Sequence, residues 1–468
     1  MTAETLFDLI IVGSGPGGEG AAMQAAKEGL KVALVEKSPM VGGSCTHLGT
    51  IPSKSLRQMS HLLTIYQDDL LFNRGHIFPD IGFSDFLSRA KDVIAQQVAR
   101  RQSHYFRNRI RLFQGLAEFR DKNSIYLHVK GKASEVLRAK NFILAVGSAP
   151  YQPPEFDFNH KNIFDSDSIL SMNFTPRHMV IYGAGAIGCE YTSIFRALGT
   201  KVTLINTRSS LLSFLDEDIS NALTYHFRDK GVHVLNNERI EDFESCGDFL
   251  SLRLHSGKSI KTDVVLVTVG RTGCVENLGL TKLGVLTDDR QYIKVNEHYQ
   301  TNIDNIYAVG DITGFPCLAS AAYDQGRFAA LHLINPMCDD SLVKDIPLGI
   351  YTSPEISCIG KSEKELTEAR VSYEMGAVSF KHLARAQIKG ETAGMLKILF
   401  DKETLQILGI HCFGQSASEI IHIGQSIMAQ KGEANSMKYF VNTTFNYPTM
   451  AEAYRVAALN GLNRLKFN

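Results

Sequence analysis

Three short stretches of this chain set glycine beside residues able to handle charge. Residues 13–18 read GSGPGG and residues 183–188 read GAGAIG, each a G-x-G-x-x-G turn. Glycine at the three fixed positions permits a tight turn, lets a pyrophosphate approach the backbone and lets a helix close on a strand. The helix start that follows favours phosphate charge. Glu36 stands 23 residues after Gly13, and its carboxylate suits both hydroxyls of an adenosine ribose. The same offset from Gly183 falls on Asn206, with Arg208 two residues on. A carboxylate holds a free 2′-hydroxyl and repels a 2′-phosphate, whereas a neutral amide near a guanidinium admits either. The second turn is therefore expected to take both NAD and NADP through Gly183, Gly185, Gly188, Asn206 and Arg208. The alternative is that Asn206 and Arg208 are ordinary residues at a strand end. Two dinucleotide turns suggest one bound flavin and one exchangeable nicotinamide, because hydride chemistry needs a donor and an acceptor face to face. The third stretch, GGSCTHLGTIPSK at 42–54, carries Cys45 and Lys54.

Such residues need strands and helices to hold them, and the flanking patterns supply them. The apolar run LIIV at 9–12 enters the first turn, a helical stretch leaves it and runs to about Glu28, and the strand KVALVE at 31–36 ends on Glu36. The second copy repeats the plan, with HMVIY at 178–182, a helix to about Leu198 and KVTLIN at 201–206. From about residue 345 the pattern turns to strands, MLKILF at 395–400 and LQILGIHCFG at 405–414, joined by a turn at 401–404. A helix follows, with Ile420, Ile423 and Ile427 at helical spacing.

FILAVGSAP at 142–150 holds Gly147, VGRTG at 269–273 holds Gly270, and NIYAVGD at 305–311 ends on Asp311. With the two turns and the cysteine loop, these make the chain resemble the flavoprotein disulfide reductase family over nearly its whole length. The resemblance implies an α/β fold with two Rossmann-like dinucleotide-binding domains, one for FAD at 1–150 and 274–344 and one for NAD(P) at 151–273. A C-terminal α+β dimerisation domain at 345–468 would make a homodimer or larger homo-oligomer, bringing Tyr447 and Glu452 toward the flavin of the other subunit. FAD would be held by Gly13, Gly15, Gly18 and Glu36, with Asp311 on its ribityl chain and Cys45, Thr50, Gly147 and Gly270 among its surroundings. Lys54 and Glu190 resemble an ion pair beside the flavin and the nicotinamide, and are the expected catalytic residues. Solvated helix charges are the alternative reading of that pair, and a simple turn acid that of Asp311.

The chain departs from the family at two places. The family loop resembles GG-x-C-x-x-x-x-C-x-P-S-K, and its second cysteine falls on Thr50, whose hydroxyl can neither form a disulfide nor act as a thiolate. The family ending resembles H-x-H-P-T-x-x-E, whereas residues 445–452 read FNYPTMAE, with Tyr447 in place of a histidine. A phenol is a poor acceptor for a thiol proton near neutral pH. Loss of thiol and base together argues that the substrate is not a disulfide, and leaves Cys45 as an inert buried thiol or a bystander at the flavin.

Composition narrows the rest. The 468 residues are 44% hydrophobic, with 49 Lys plus Arg against 49 Asp plus Glu. That length allows about three domains, and the balanced charge gives no field for nucleic acid or an anionic membrane. The first residues, MTAETLFDLIIVG, carry Glu4 and Asp8 where a signal peptide would be basic, and no apolar run is long enough to span a bilayer. Eight cysteines without metal spacing fit a reducing, cytoplasmic setting without zinc, and the 15 histidines read as structural. The expected function is reversible hydride transfer from NADPH to NAD through bound FAD, with the two nucleotides using one site in turn. A diaphorase, NADH oxidase or quinone reductase of the same fold, and a non-catalytic nucleotide sensor, are the rivals.

Overall fold

Strand Leu6–Val12 is buried from Leu9 to Val12 because it runs through the middle of a sheet covered on both faces. The computed structural model describes residues 6–68, 81–337 and 345–467; Glu4, Cys338 and the expected domain end at 344 lie outside the described residues. Leu6–Val12 pairs in parallel with Val32–Glu36 on one side and Glu135–Leu144 on the other. Arg111–Gln114 and Ile306–Ala308 extend this parallel sheet, and an antiparallel flap, Leu116–Asp121 with Ser124–His128, completes seven strands. The helix after the first glycine turn, Pro16–Lys27, lies against helix Ala319–Ile334 at a distance only glycine permits. A Cβ on Gly20 would sit 2.1 Å from the Tyr323 carbonyl oxygen, and one on Gly326 2.0 Å from that of Gly17.

A second sheet repeats the parallel core with five strands in the order His233–Asn236, Lys201–Asn206, His178–Tyr182, Val264–Val267, Ile163–Asp165. The chain passes between the two sheets twice, and the two passages, Ser148–Pro150 and Arg271–Gly273, pair antiparallel with each other. The third sheet is antiparallel, built from Leu348–Ile350, Ile356–Gly360, Ile407–Gly414, Gly394–Asp401 and Tyr373–Ser379. The expected strands and turn at 395–414 fall here, and helix Ala417–Met428 follows. Its Ile420 is buried, and Ile423 and Ile427 pack against the same apolar cluster as Phe400, Phe440 and Tyr454, so core packing accounts for that stripe.

The three sheets share interior. One cluster joins Leu56 and Phe83 beside the first sheet, Phe195 and Leu204 of the second, and Ile356 and Phe413 of the third. Polar contacts reinforce it. Lys397, fully buried in the third sheet, reaches Asp216 at 2.8 Å, Asp218 at 2.7 Å and Glu363 at 3.1 Å, and Asp216 caps helix Glu217–Asp229 of the second sheet. Among the described residues no helix is long and apolar enough to cross a membrane.

Candidate functional site

The first glycine turn has the geometry its sequence demands. Gly13 has φ of 102°, and a Cβ there would meet the Ala145 carbonyl oxygen at 2.3 Å. A Cβ on Gly18 would lie 1.9 Å from the Gly13 carbonyl oxygen, so helix and strand touch at that point. Gly15 differs, because its missing Cβ faces almost open space with only Gly43 nearby at 3.9 Å. That opening at the start of a 12-residue helix is the cradle a pyrophosphate needs. Glu36 ends its strand buried, and it is more occupied than its position suggests. Oε2 accepts from the Ser14 N–H at 3.0 Å and the Ser14 hydroxyl at 2.6 Å, and Oε1 accepts from the Ser38 N–H at 2.8 Å. Three of roughly four lone-pair sites are filled, so one acceptor position remains for a ribose rather than two. Ser14 also accepts the Gly42 N–H at 2.9 Å, which ties the cysteine loop to the first turn.

The cysteine loop folds as a short helix, Gly43–His47, followed by helix Thr50–Asp68. Burial pushes the Cys45 thiol up, and the neighbouring Thr50 side chain works against that rise. Thr46 Oγ in the same loop is buried without a partner. Asp311, in the turn Gly310–Thr313, has its carboxyl pushed up by desolvation, and it accepts a 3.3 Å hydrogen bond from the Ser148 hydroxyl. A half-buried carboxylate and a buried hydroxyl short of partners, beside an open glycine cradle, match a long ligand rich in hydroxyls and phosphate.

Lys54 and Glu190 meet, so the solvated alternative fails. Lys54 Nζ lies 2.9 Å and 2.8 Å from the two oxygens of Glu190, whose side chain is 8% exposed. The pair sits where three parts of the chain converge. Lys54 comes from helix Thr50–Asp68 and Glu190 from helix Ala186–Ala197, while Tyr351, ahead of the third sheet's second strand, donates its N–H to Glu190 at 2.9 Å. The Tyr351 ring lies 4.8 Å from Lys54 Nζ. One turn further, Arg57 binds Glu355 at 2.9 Å and the Thr352 carbonyl, fixing the same segment. Tyr351 escapes sequence reasoning because nothing local marks it.

The second glycine turn copies the first. Gly183 has φ of 110° and a Cβ there would meet the Thr268 carbonyl oxygen at 2.5 Å; one on Gly188 would lie 1.9 Å from the Gly183 carbonyl oxygen. Nothing stands within 4 Å of the missing Cβ of Gly185. Ala145-Val146-Gly147 and Thr268-Val269-Gly270 are equivalent strand ends, and both glycines have positive φ, 73° and 131°. That repeated A/T-V-G was available in the sequence as a marker for Ala145 and Thr268. Arg271, beside Gly270, donates to the Ser148 hydroxyl at 2.7 Å and so couples Asp311 to the second sheet's edge. Asn206 is buried and donates to the Ser210 carbonyl at 2.9 Å and to Asn236 Oδ1 at 3.0 Å, while its own Oδ1 accepts the Arg208 N–H at 3.2 Å. Arg208 is exposed, and its guanidinium donates to the Ser213 hydroxyl at 2.6 Å.

Tyr447 is 71% exposed, and Glu452 begins the helix Glu452–Phe467. His47 bonds to the Val41 carbonyl, His411 is buried against the Lys361 carbonyl, and no metal-ligand cluster occurs among the described residues.

Comparison with known proteins adds three findings. Residues 7–326 match the family model for pyridine nucleotide-disulphide oxidoreductases, and residues 346–458 match that family's dimerisation domain. The chain is 56% identical to a soluble pyridine nucleotide transhydrogenase of Pectobacterium atrosepticum, over 99% of this chain and 100% of that one. Proteins of the same name from Vibrio vulnificus, at 56%, and Aliivibrio fischeri, at 55%, match over 98% of each chain. Among solved structures, the fold matches the copper(II) complex of the HOCl-induced flavoprotein disulfide reductase RclA from Escherichia coli, with a TM-score of 0.88 at 24% identity over 97% of this chain and 99% of that one. LpdA from Mycobacterium tuberculosis matches with a TM-score of 0.88 at 23% identity over the same shares.

Proposed function

Because the chain belongs to the pyridine nucleotide-disulphide oxidoreductase family, we propose that it is a FAD-dependent transhydrogenase, moving hydride reversibly from NADPH to NAD without a redox disulfide. The observation that carries this reading is the Thr50 hydroxyl beside Cys45, which leaves a flavin in that cleft no dithiol to reduce. Bound FAD supplies a ring that takes hydride from one nicotinamide and yields it to the next. Gly13, Gly15 and Gly18 would admit its pyrophosphate and Glu36 would accept from its ribose. Asp311 would accept from its ribityl hydroxyls, with Thr46 Oγ a further polar contact and Gly147 giving the backbone room nearby. Gly183, Gly185 and Gly188 would bind NADPH and then NAD in one place, which is why the nucleotides must alternate.

Lys54 contributes a fixed positive charge. Glu190 and the Tyr351 ring hold its ammonium in one position, so no reorganisation is needed when negative charge builds up nearby.

We assign residues 1–150 with 274–344 to FAD, 151–273 to the nicotinamide nucleotide and 345–468 to assembly as a homodimer. The exposure of Tyr447 supports that last assignment, since its family position faces another subunit. A reducing, cytoplasmic setting suits a chain whose described cysteines are all free thiols.

The test is to mix purified holoenzyme with NADPH and a thio analogue of NAD. Appearance of the reduced analogue is the expected result. Flavin that NADPH bleaches without any product forming, or rapid oxygen uptake with NADH alone, would replace transhydrogenation with a diaphorase or oxidase activity. An anaerobic titration should consume two electrons per flavin, as a cleft without a dithiol requires.

A further inference from the structure

The amide of Asn206 is fully engaged by the protein on its donor side. Ser210 offers it a carbonyl, which only accepts, and Arg208 offers it an N–H, which only donates. A carboxylamide is the side chain that can serve both from one position; a carboxylate would set acceptor against acceptor at the Ser210 carbonyl. Two backbone bonds brace the same place, from Glu238 N–H to the Asn206 carbonyl at 3.0 Å and from Asn237 N–H to the Arg208 carbonyl at 3.0 Å. The next residues are fixed too, since the Leu212 N–H donates to the carbonyl of Ala184 inside the glycine turn at 3.1 Å. Asn206 therefore sits at the base of a short arch, residues 207–210, held by hydrogen bonds at Arg208 and Ser210, with the exposed Arg208 on top. Behind the arch lies a polar cavity of about 200 Å³ lined in part by Ser209, Ser210, Arg228 and Asn236.

We infer that Asn206 is a positioning residue that shapes this arch so that Arg208 can meet a 2′-phosphate, and that it does not itself read the nucleotide ribose. The inference rests on the second glycine turn being the NAD(P) site. Choice between the two nucleotides then belongs to the arch, and Asn236 is part of the same device because it accepts the second amide hydrogen.

The experiment measures binding rather than turnover, on FAD-loaded enzyme, using 2′,5′-ADP and 5′-AMP as probes of the phosphorylated and free ribose. Asn206→Asp should weaken 2′,5′-ADP about tenfold and leave 5′-AMP within about threefold, because the arch loosens while the glycine turn persists. A ribose-reading Asn206 makes the opposite forecast for the second probe, since a carboxylate gains a hydroxyl contact; tighter 5′-AMP binding overturns the inference. Asn236→Leu adds no charge and removes one acceptor from the Asn206 amide. It should also lower affinity for 2′,5′-ADP several-fold and spare 5′-AMP. Equal loss of both probes, or no change in either, overturns the positioning role, and this variant decides the matter if Asn206→Asp does not fold. Should native enzyme fail to transfer hydride yet show these selective losses, the functional reading falls and the positioning role stands.

Discussion

The two glycine turns are built to one plan and finished differently. In each, the third glycine presses on the carbonyl of the first, with the same 1.9 Å approach for a missing Cβ, and the middle glycine faces open space. The acceptor two residues before Ser38 and Arg208 also takes the same backbone N–H contact in both. What differs is where the remaining side-chain capacity points. Glu36 turns its other oxygen back to the turn and, through Ser14, to the cysteine loop, which locks the first site around its ligand. Asn206 turns its donors outward to Ser210 and Asn236, and the residue matching Ser14 is Ala184, which has no hydroxyl to answer with. The first site is knitted to the rest of the cleft and suits a resident cofactor. The second ties its glycine turn to its ribose edge through the backbone alone, from the Leu212 N–H to the Ala184 carbonyl, and leaves its side chains out of that link, as suits a site that must release one nucleotide and accept another.

The largest effects should come from filling the shared contact. Gly18→Ala must displace backbone and should abolish FAD retention, whereas Gly188→Ala should leave flavin bound and eliminate nucleotide-driven bleaching; each costs about 3 kcal/mol of local packing. Flavin content and NADPH titration separate them, and flavin loss in both variants would show the sites to be mechanically one. Next comes the bridge between them. Lys54→Met should slow flavin reduction by NADPH on the order of a hundredfold while FAD stays bound, read by stopped-flow absorbance. Smaller again is Ser14→Ala, which removes a 2.6 Å bond to a carboxylate and should lower holoenzyme stability by about 1.5 to 3 kcal/mol in denaturant unfolding. Least of all, Ala184→Ser in the second turn should change nucleotide affinity by less than about 0.5 kcal/mol, because Asn206 already has its partners. A large effect there would mean that the two turns are wired alike after all.

Much of this was legible before any coordinates. The glycine spacing, the strand that precedes it and the acid or amide at its fixed offset are local features, so sequence order is a fair guide to them. The Thr50 substitution was legible for the same reason, since it lies five residues from Cys45 within one loop. Groups assembled across long separations were not. Tyr351 reaches Glu190 across 161 residues, and Ser148 reaches Asp311 across 163, through packing of separate sheets that no local pattern encodes. Asn206 fell between the two cases. Its place at the strand end was visible, but the direction of its amide depends on Asn236, 30 residues away on the neighbouring strand. The position of Glu36 in the sequence suggests a carboxylate open to both ribose hydroxyls, and Ser14, hidden inside the glycine motif as a variable position, takes part of that capacity.

Lys397 bears on how far the nucleotide-binding segment can be treated as a module. Burial pushes Asp216 up, but the hydrogen bond from Lys397, with help from His411, the Lys397 charge and the Glu363 N–H, holds it below the ordinary carboxylate range. The cation belongs to one sheet and the anion it neutralises to another. A fragment cut at the two inter-sheet passages would carry Asp216 without that counter-charge, and would have to protonate it or reopen the helix start to water. Transplanting this nucleotide site onto another scaffold therefore means moving a lysine from some 180 residues downstream as well.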